Sequence, residues 1–227
     1  LNPSVNLFTS VNILDQMLRD AVPGGAPDLK RVFDDLFRRV ADYFHRYGRD
    51  PIDSELLYKI AEVESISRAE LSTMIAVSFR ISSANMLFTS DVMTGAHHVV
   101  QPGAKLGVTT PLLPYLSVAG SWTWLNYLDD VLLPFWRQDD PDLTRESLIA
   151  SGSLHSIEDF LRGATHIGVM HNRDDLILGP GDLAWLERTF GDRAIVYPTG
   201  GHCGNLMYHE NIADTLAFFG VGSGSGE

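Results

Sequence analysis

The sequence predicts an α/β fold: the C-terminal part of a parallel sheet, preceded by a large helical region. Three observations predict it. After residue 151, short apolar runs alternate with helical patterns at strand–helix–strand–helix spacing, the signature of a parallel sheet. Residues 10–150 instead carry helical periodicity and few strand candidates. Two polar loops follow the two strand patterns directly, where an open α/β sheet gathers its ligands. Composition agrees, since 44% hydrophobic and 20% charged residues in a chain of 227 are globular proportions. A net charge of −12 with no Lys/Arg block argues against a nucleic-acid partner, which needs clustered positive charge. The single cysteine, Cys203, excludes an intrachain disulfide and leaves the redox compartment open; the cytoplasm is expected, with the periplasm as the alternative.

Taken in order, Leu1 to Leu7 lacks the basic start and apolar core of a signal peptide. Residues 1–9 read as the end of a core strand running into a loop. Val32, Phe33, Leu36, Phe37, Val40 and Phe44 recur at three- and four-residue steps, the stripe of an amphipathic helix, with Asp34, Arg38, Arg39 and Asp42 opposite. Past Pro51 a second helix is expected over 54–63. Ser67-Arg68-Ala69-Glu70 has the form of a capping box, and its helix is expected to reach Phe79, with Ser82 and Ser83 at an ordinary helix end. Residues 106–128 carry no charge and could span a bilayer by length. Gly107, Pro111, Pro114 and Gly120 interrupt them, however, so buried helices and loops are expected and no stable membrane span. Trp122, Trp124, Tyr127, Phe135 and Trp136 then cluster, as plain core or as the lining of an apolar substrate pocket.

From 151 onward the pattern predicts a helix over 156–161, a buried strand over 166–170 and a polar loop over 172–175. A helix over 180–190 follows, then a strand over 194–197, a Gly-rich loop over 198–204 and a final helix over 205–219. Residues 220–227 end in Gly/Ser alternation of the linker kind and are excluded from the fold. Two or three strands are too few for a parallel sheet covered on both faces. The sheet is therefore expected to continue elsewhere.

The chemistry lies in the two loops. The first is His171-Asn172-Arg173-Asp174-Asp175-Leu176-Ile177-Leu178, and the second is Gly200-Gly201-His202-Cys203-Gly204. Together they bring an acid and an imidazole to neighbouring strand ends. A carboxylate that fixes a histidine tautomer and steadies its cation is the base half of a nucleophilic triad.

An acidic loop ending in Asp-x-Ile-Leu, then a helix, a strand and Gly-Gly-His, resembles the last third of an α/β-hydrolase. The likeness is to the serine aminopeptidase/lipase-like branch and covers residues 151–219. It implies that 10–150 is the helical cap inserted after the sixth strand, and that Leu1-Asn2-Pro3 ends that strand. Asp175 is then similar to the catalytic acid, with Asp174 next in line, and His202 to the general base. The implied activity is a serine hydrolase acting on an ester or amide by acyl transfer to water. It implies no metal and no organic cofactor, and a small acyl, ester or peptide-like substrate, with the aromatic cluster Trp122, Trp124, Tyr127, Phe135 and Trp136 shaping its pocket.

The family's Gly-x-Ser-x-Gly nucleophile turn is missing: Ser121, Ser153, Ser223 and Ser225 all have the wrong neighbours. Two triad members of three are present, so the resemblance implies that a separate N-terminal polypeptide, the N-terminal fragment of the same precursor, completes the sheet and carries the nucleophile. Two alternatives stay open, a non-catalytic α/β-hydrolase-like binding or assembly module and an Asp-nucleophile hydrolase of the dehalogenase or epoxide hydrolase type. Cys203 is expected to pack rather than react, because adjacent residues point apart. His171 is expected at the polar rim, and His97-His98 as a loop pair with no third metal ligand.

Overall fold

Two stretches of the chain fold on themselves separately. The structure, a computed structural model, describes residues 1–22, 26–47 and 67–220. Leu1–Ser10 and Ile149–Glu227 make one unit, and Val11–Leu148 the other. That division lies close to the change of pattern near residue 150. The helix expected over 54–63 and the end of the Gly/Ser tail lie outside the described residues.

The unit Val11–Leu148 is helical. Most of α1 (Leu7–Ala21) belongs to it, followed by α2 (Ala26–Tyr47) and α3 (Arg68–Thr94). Tyr43 on the striped helix is buried, and Arg39 reaches Glu70 on α3 at 2.9 Å. The capping box forms in full: Ser67 Oγ accepts the Glu70 N–H at 3.2 Å, and the Glu70 carboxylate accepts the Ser67 N–H at 2.9 Å.

α3 continues well past Phe79, so Ser82 and Ser83 are interior residues rather than a helix end. Their hydroxyls donate one turn back, to Ser78 O at 3.2 Å and Phe79 O at 3.0 Å. A serine satisfied in this way does not stop a helix. The stop is Gly95, in the left-handed conformation at φ 64°. Asp91, 1% exposed, then accepts the N–H groups of His98, Val99 and Val100 at 2.8, 3.0 and 2.7 Å. This carboxylate pins the chain reversal that buries Val99 and Val100.

The uncharged stretch that follows becomes short elements: α4 (Leu113–Ala119), α5 (Trp124–Tyr127), a π-turn at Leu128–Leu132 and α6 (Leu133–Trp136). No helix among the described residues is long and apolar enough to cross a membrane. One core cluster gathers Ala84, Leu87, Val99, Ala119 and Val131, and another Leu18, Val22, Met74, Ala76 and Val77. Arg80 and Asp15 form an ion pair in this unit while only 6% and 1% exposed.

The end of α7 (Arg145–Ser151), from Ile149, begins the main stretch of the other unit and leads through a 3-10 turn (Leu154–Ile157) to α8 (Glu158–Gly163), β1 (Val169–Asn172), α9 (Asp182–Phe190), β2 (Ala194–Tyr197) and α10 (His209–Phe218). The strands pair in parallel, with Val169 opposite Ala194 and Asn172 opposite Tyr197. Val5, Leu161, Val169, Trp185, Leu186 and Phe190 form the core. Arg193 donates to the carbonyls of Ala164 at 2.7 Å, Ile167 at 2.6 Å and Leu161 at 3.0 Å.

Three expectations shift here. β1 begins at Val169 and takes in His171 and Asn172, because Arg193 holds the carbonyls of Ala164 and Ile167 in the turn before it. α10 begins at His209, since residues 201–207 form turns whose Asn205 is bonded elsewhere, to Asn172 at 2.8 Å. Leu1-Asn2-Pro3 is no strand. It makes one backbone bond to β1, from Asn2 N–H to Met170 O at 2.8 Å. The left-handed Asn2 (φ 45°) and the missing N–H of Pro3 prevent a ladder from continuing.

Candidate active site

β1 and β2 end side by side, and a bond from Arg173 N–H to Tyr197 O at 2.9 Å carries the pairing one step further. The loops after them therefore leave from neighbouring C-terminal edges. Asp175 turns inward, its side chain fully buried. Its Oδ1 accepts the Ile177 N–H at 3.1 Å, and Ser10 Oγ donates to Ile177 O at 2.7 Å, so the turn is held from both sides.

His202 arrives from the other loop, with Nδ1 3.0 Å from Asp175 Oδ2. A carboxylate oxygen only accepts, so Nδ1 carries the proton and the lone pair of the neutral ring lies on Nε2. The ring is 44% exposed, and its Nε2 makes no hydrogen bond among the described residues. Burial alone would push the Asp175 carboxyl up. The hydrogen bonds from His202 and the Ile177 N–H, with both nearby imidazoles, outweigh it and hold the group below the usual carboxylate range.

His171 is wholly buried, not at the rim, because β1 extends through it. Its Nε2 lies 3.1 Å from Pro3 O, and its Nδ1 accepts the Asn172 N–H at 2.9 Å. That leaves Nδ1 3.7 Å from Asp175 Oδ2, as a wall behind the carboxylate. Asp174 does not bond the ring; its Oδ1 accepts the Gly201 N–H at 2.8 Å. Cys203 is half-buried with φ 64°. Burial, and then the Asp175 anion, push its thiol up and keep it protonated, the poor nucleophilic state.

The aromatic residues separate. Trp124 stacks on Tyr127 at 5.7 Å, and Trp122 packs against His98 at 5.2 Å. With Ser83, Met86, Leu87 and Ala119 these three line a pocket that has room for about one water molecule. Phe135 and Trp136 do not join them; they pack edge to face at 5.7 Å and are 44% and 46% exposed. All five belong to the unit Val11–Leu148. Among the described residues, no group of three or more His, Cys, Asp or Glu could hold a metal ion.

The arrangement is an acid–imidazole dyad at the ends of two parallel strands, a proton-accepting device. Comparison with protein-family models, curated proteins and solved structures finds no match for this chain. Sequence reasoning missed His171, Asn172 and Asn205 as parts of this site. The one available signal was the Gly-Gly pair before His202, since two such residues permit a close backbone approach to something buried.

Proposed function

We propose that this chain supplies the acid and the general base of a nucleophilic hydrolase. The carrying observation is the 3.0 Å bond between His202 Nδ1 and the buried Asp175 carboxylate. With Nδ1 protonated, Nε2 takes the proton of an attacking hydroxyl and later gives it to the leaving group. Asp175 stabilises the imidazolium formed between these steps and keeps the ring in the productive tautomer.

The α/β-hydrolase resemblance makes the nucleophile a serine. This sequence has no Gly-x-Ser-x-Gly turn, so we assign the serine to a companion polypeptide that also extends the sheet. The substrate is a small ester or amide of acyl or peptide-like type, and the unit Val11–Leu148 is the cap.

The test is fluorophosphonate labelling of the native protein together with whatever co-purifies with it. A labelled serine on the companion is expected, with labelling abolished by His202→Ala. Asp175→Asn should slow it about 10³–10⁴-fold, because an amide presents the wrong tautomer to His202 and stabilises no cation. No labelling with the companion present, or labelling indifferent to His202→Ala, overturns the reading. The first result favours a non-catalytic module. An aspartyl alkyl ester formed on incubation with a haloalkane, with halide leaving as the carboxylate attacks, instead identifies the dehalogenase-like chemistry.

A further inference from the structure

A ring that is 44% exposed is not held by packing. The Asp175 bond fixes one nitrogen of His202 but leaves open where the backbone presents the ring. That backbone is held at the preceding peptide. The Gly201 N–H donates to Asp174 Oδ1 at 2.8 Å, and Gly201 O accepts from Asn172 Nδ2 at 2.8 Å. Asn172 is completely buried. Its Nδ2 also donates to Asn205 Oδ1 at 2.8 Å, so both amide hydrogens are engaged and the group has one orientation.

Gly200 lies directly on this pair. A Cβ there would fall 2.7 Å from Asn172 Cγ and Nδ2 and 2.7 Å from Asn205 Cγ, at a φ of +146°. The end of β1 and the loop after it thus hold the loop after β2 at four points: Asn172 on the Gly201 carbonyl and on Asn205, Asp174 on the Gly201 N–H, and Asp175 on the His202 side chain.

We propose that Asp174 is a positioning residue, gripping the Gly201 peptide against the buried Asn172 and so setting where His202 Nε2 points. Its catalytic consequence rests on the hydrolase reading above; the grip itself does not. Asp174 is exposed, so its substitution spares the core. Asp174→Ala removes the acceptor, whereas Asp174→Asn keeps an acceptor oxygen and removes the charge.

Three quantities are measured on the native protein and its companion: amide exchange at Gly201, the His202 Nδ1–H resonance, and the fluorophosphonate labelling rate. Asp174→Ala should speed Gly201 exchange about ten-fold, the worth of one hydrogen bond to an exposed acceptor. It should also broaden the Nδ1–H resonance and slow labelling about 10–100-fold, the scale of a small misplacement. Asp174→Asn should restore all three. Unchanged exchange and resonance in Asp174→Ala overturn the proposal, as does Asp174→Asn behaving like Asp174→Ala. If the wild type does not label but the resonance still responds to Asp174→Ala, the grip stands and the hydrolase reading falls.

Discussion

Replacing Gly200 by alanine separates two effects that usually arrive together, backbone strain and collision. The φ of +146° is one that residues with a Cβ rarely adopt, at a cost of about 1–2 kcal/mol by analogy with left-handed helical backbone. The collision comes on top. To move from 2.7 Å to ordinary contact at 3.4 Å, the Asn172 and Asn205 amides must retreat by about 0.7 Å. They cannot do so without stretching the bonds from Asn172 Nδ2 to Gly201 O and Asn205 Oδ1, both 2.8 Å. A buried amide group left without its partner costs about 1–3 kcal/mol, so with one of the two bonds lost the total is roughly 2–5 kcal/mol. Gly181→Ala is the control: its φ is +87° with nothing within 4 Å, so only the strain of about 1–2 kcal/mol should appear. Urea unfolding is followed at the Trp185 indole N–H, which donates to Glu158 at 2.8 Å inside the same unit. Equal losses in the two variants would refute the collision argument, and no loss at Gly181 would refute the strain argument.

The pH dependence of stability follows from Asp175. Its carboxyl is held below the usual range by burial-opposing bonds from His202 and the Ile177 N–H. The stabilisation is therefore present above the unfolded-state value of about 3.9 and lost as pH falls through the lower folded-state value. Unfolding titrations should show the gap between wild type and Asp175→Asn flat above about pH 5 and shrinking on acidification; a widening gap contradicts this. Arg80→Met should cost the helical unit about 3–5 kcal/mol, since the Asp15 carboxylate stays buried without its main partner. Arg19, 3.4 Å from Asp15 but 38% exposed, biases the loss to the low end, and pairing Arg80→Met with Asp15→Leu should recover most of it on chemical denaturation. Ser67→Ala should cost about 1 kcal/mol and be seen as faster amide exchange in the first turn of α3.

How much of this was legible depended on where each residue's partners lie. β2 could be read to the residue, because an apolar run bounded by Arg193 and Pro198 has few other ways to fold. The pairing of Asp175 with His202 was readable because a carboxylate and an imidazole on loops that leave adjacent strand ends can reach each other. The extent of β1 was not. His171 and Asn172 look like loop residues, and only distant partners make their burial tolerable: Pro3 O for His171, and Gly201 O and Asn205 for Asn172. The length of α3 was hidden for the opposite reason, since Ser82 and Ser83 find partners one turn away and leave the helix unbroken. Asp174 and Asp175 are identical in type and adjacent in sequence. Only the backbone geometry gives one a peptide to hold and the other a ring.

Arg193 carries a consequence for the dyad it never touches. It stands one residue before β2 and binds the Ala164 and Ile167 carbonyls just ahead of β1, so it fastens the two strands at their starting ends. A slip that kept the side chains on their faces would move one strand by two residues, about 6.6 Å. That is more than twice the 3.0 Å between His202 and Asp175. The alignment of acid and base is thus decided at the far end of the strands from where they meet. The contacts that decide it run from a guanidinium to main-chain carbonyls, and neither Asp175 nor His202 takes part in them. Removing the ring, as in His202→Ala, should therefore leave the strands in register, whereas loss of the Arg193 guanidinium should misalign the two groups without altering either of them.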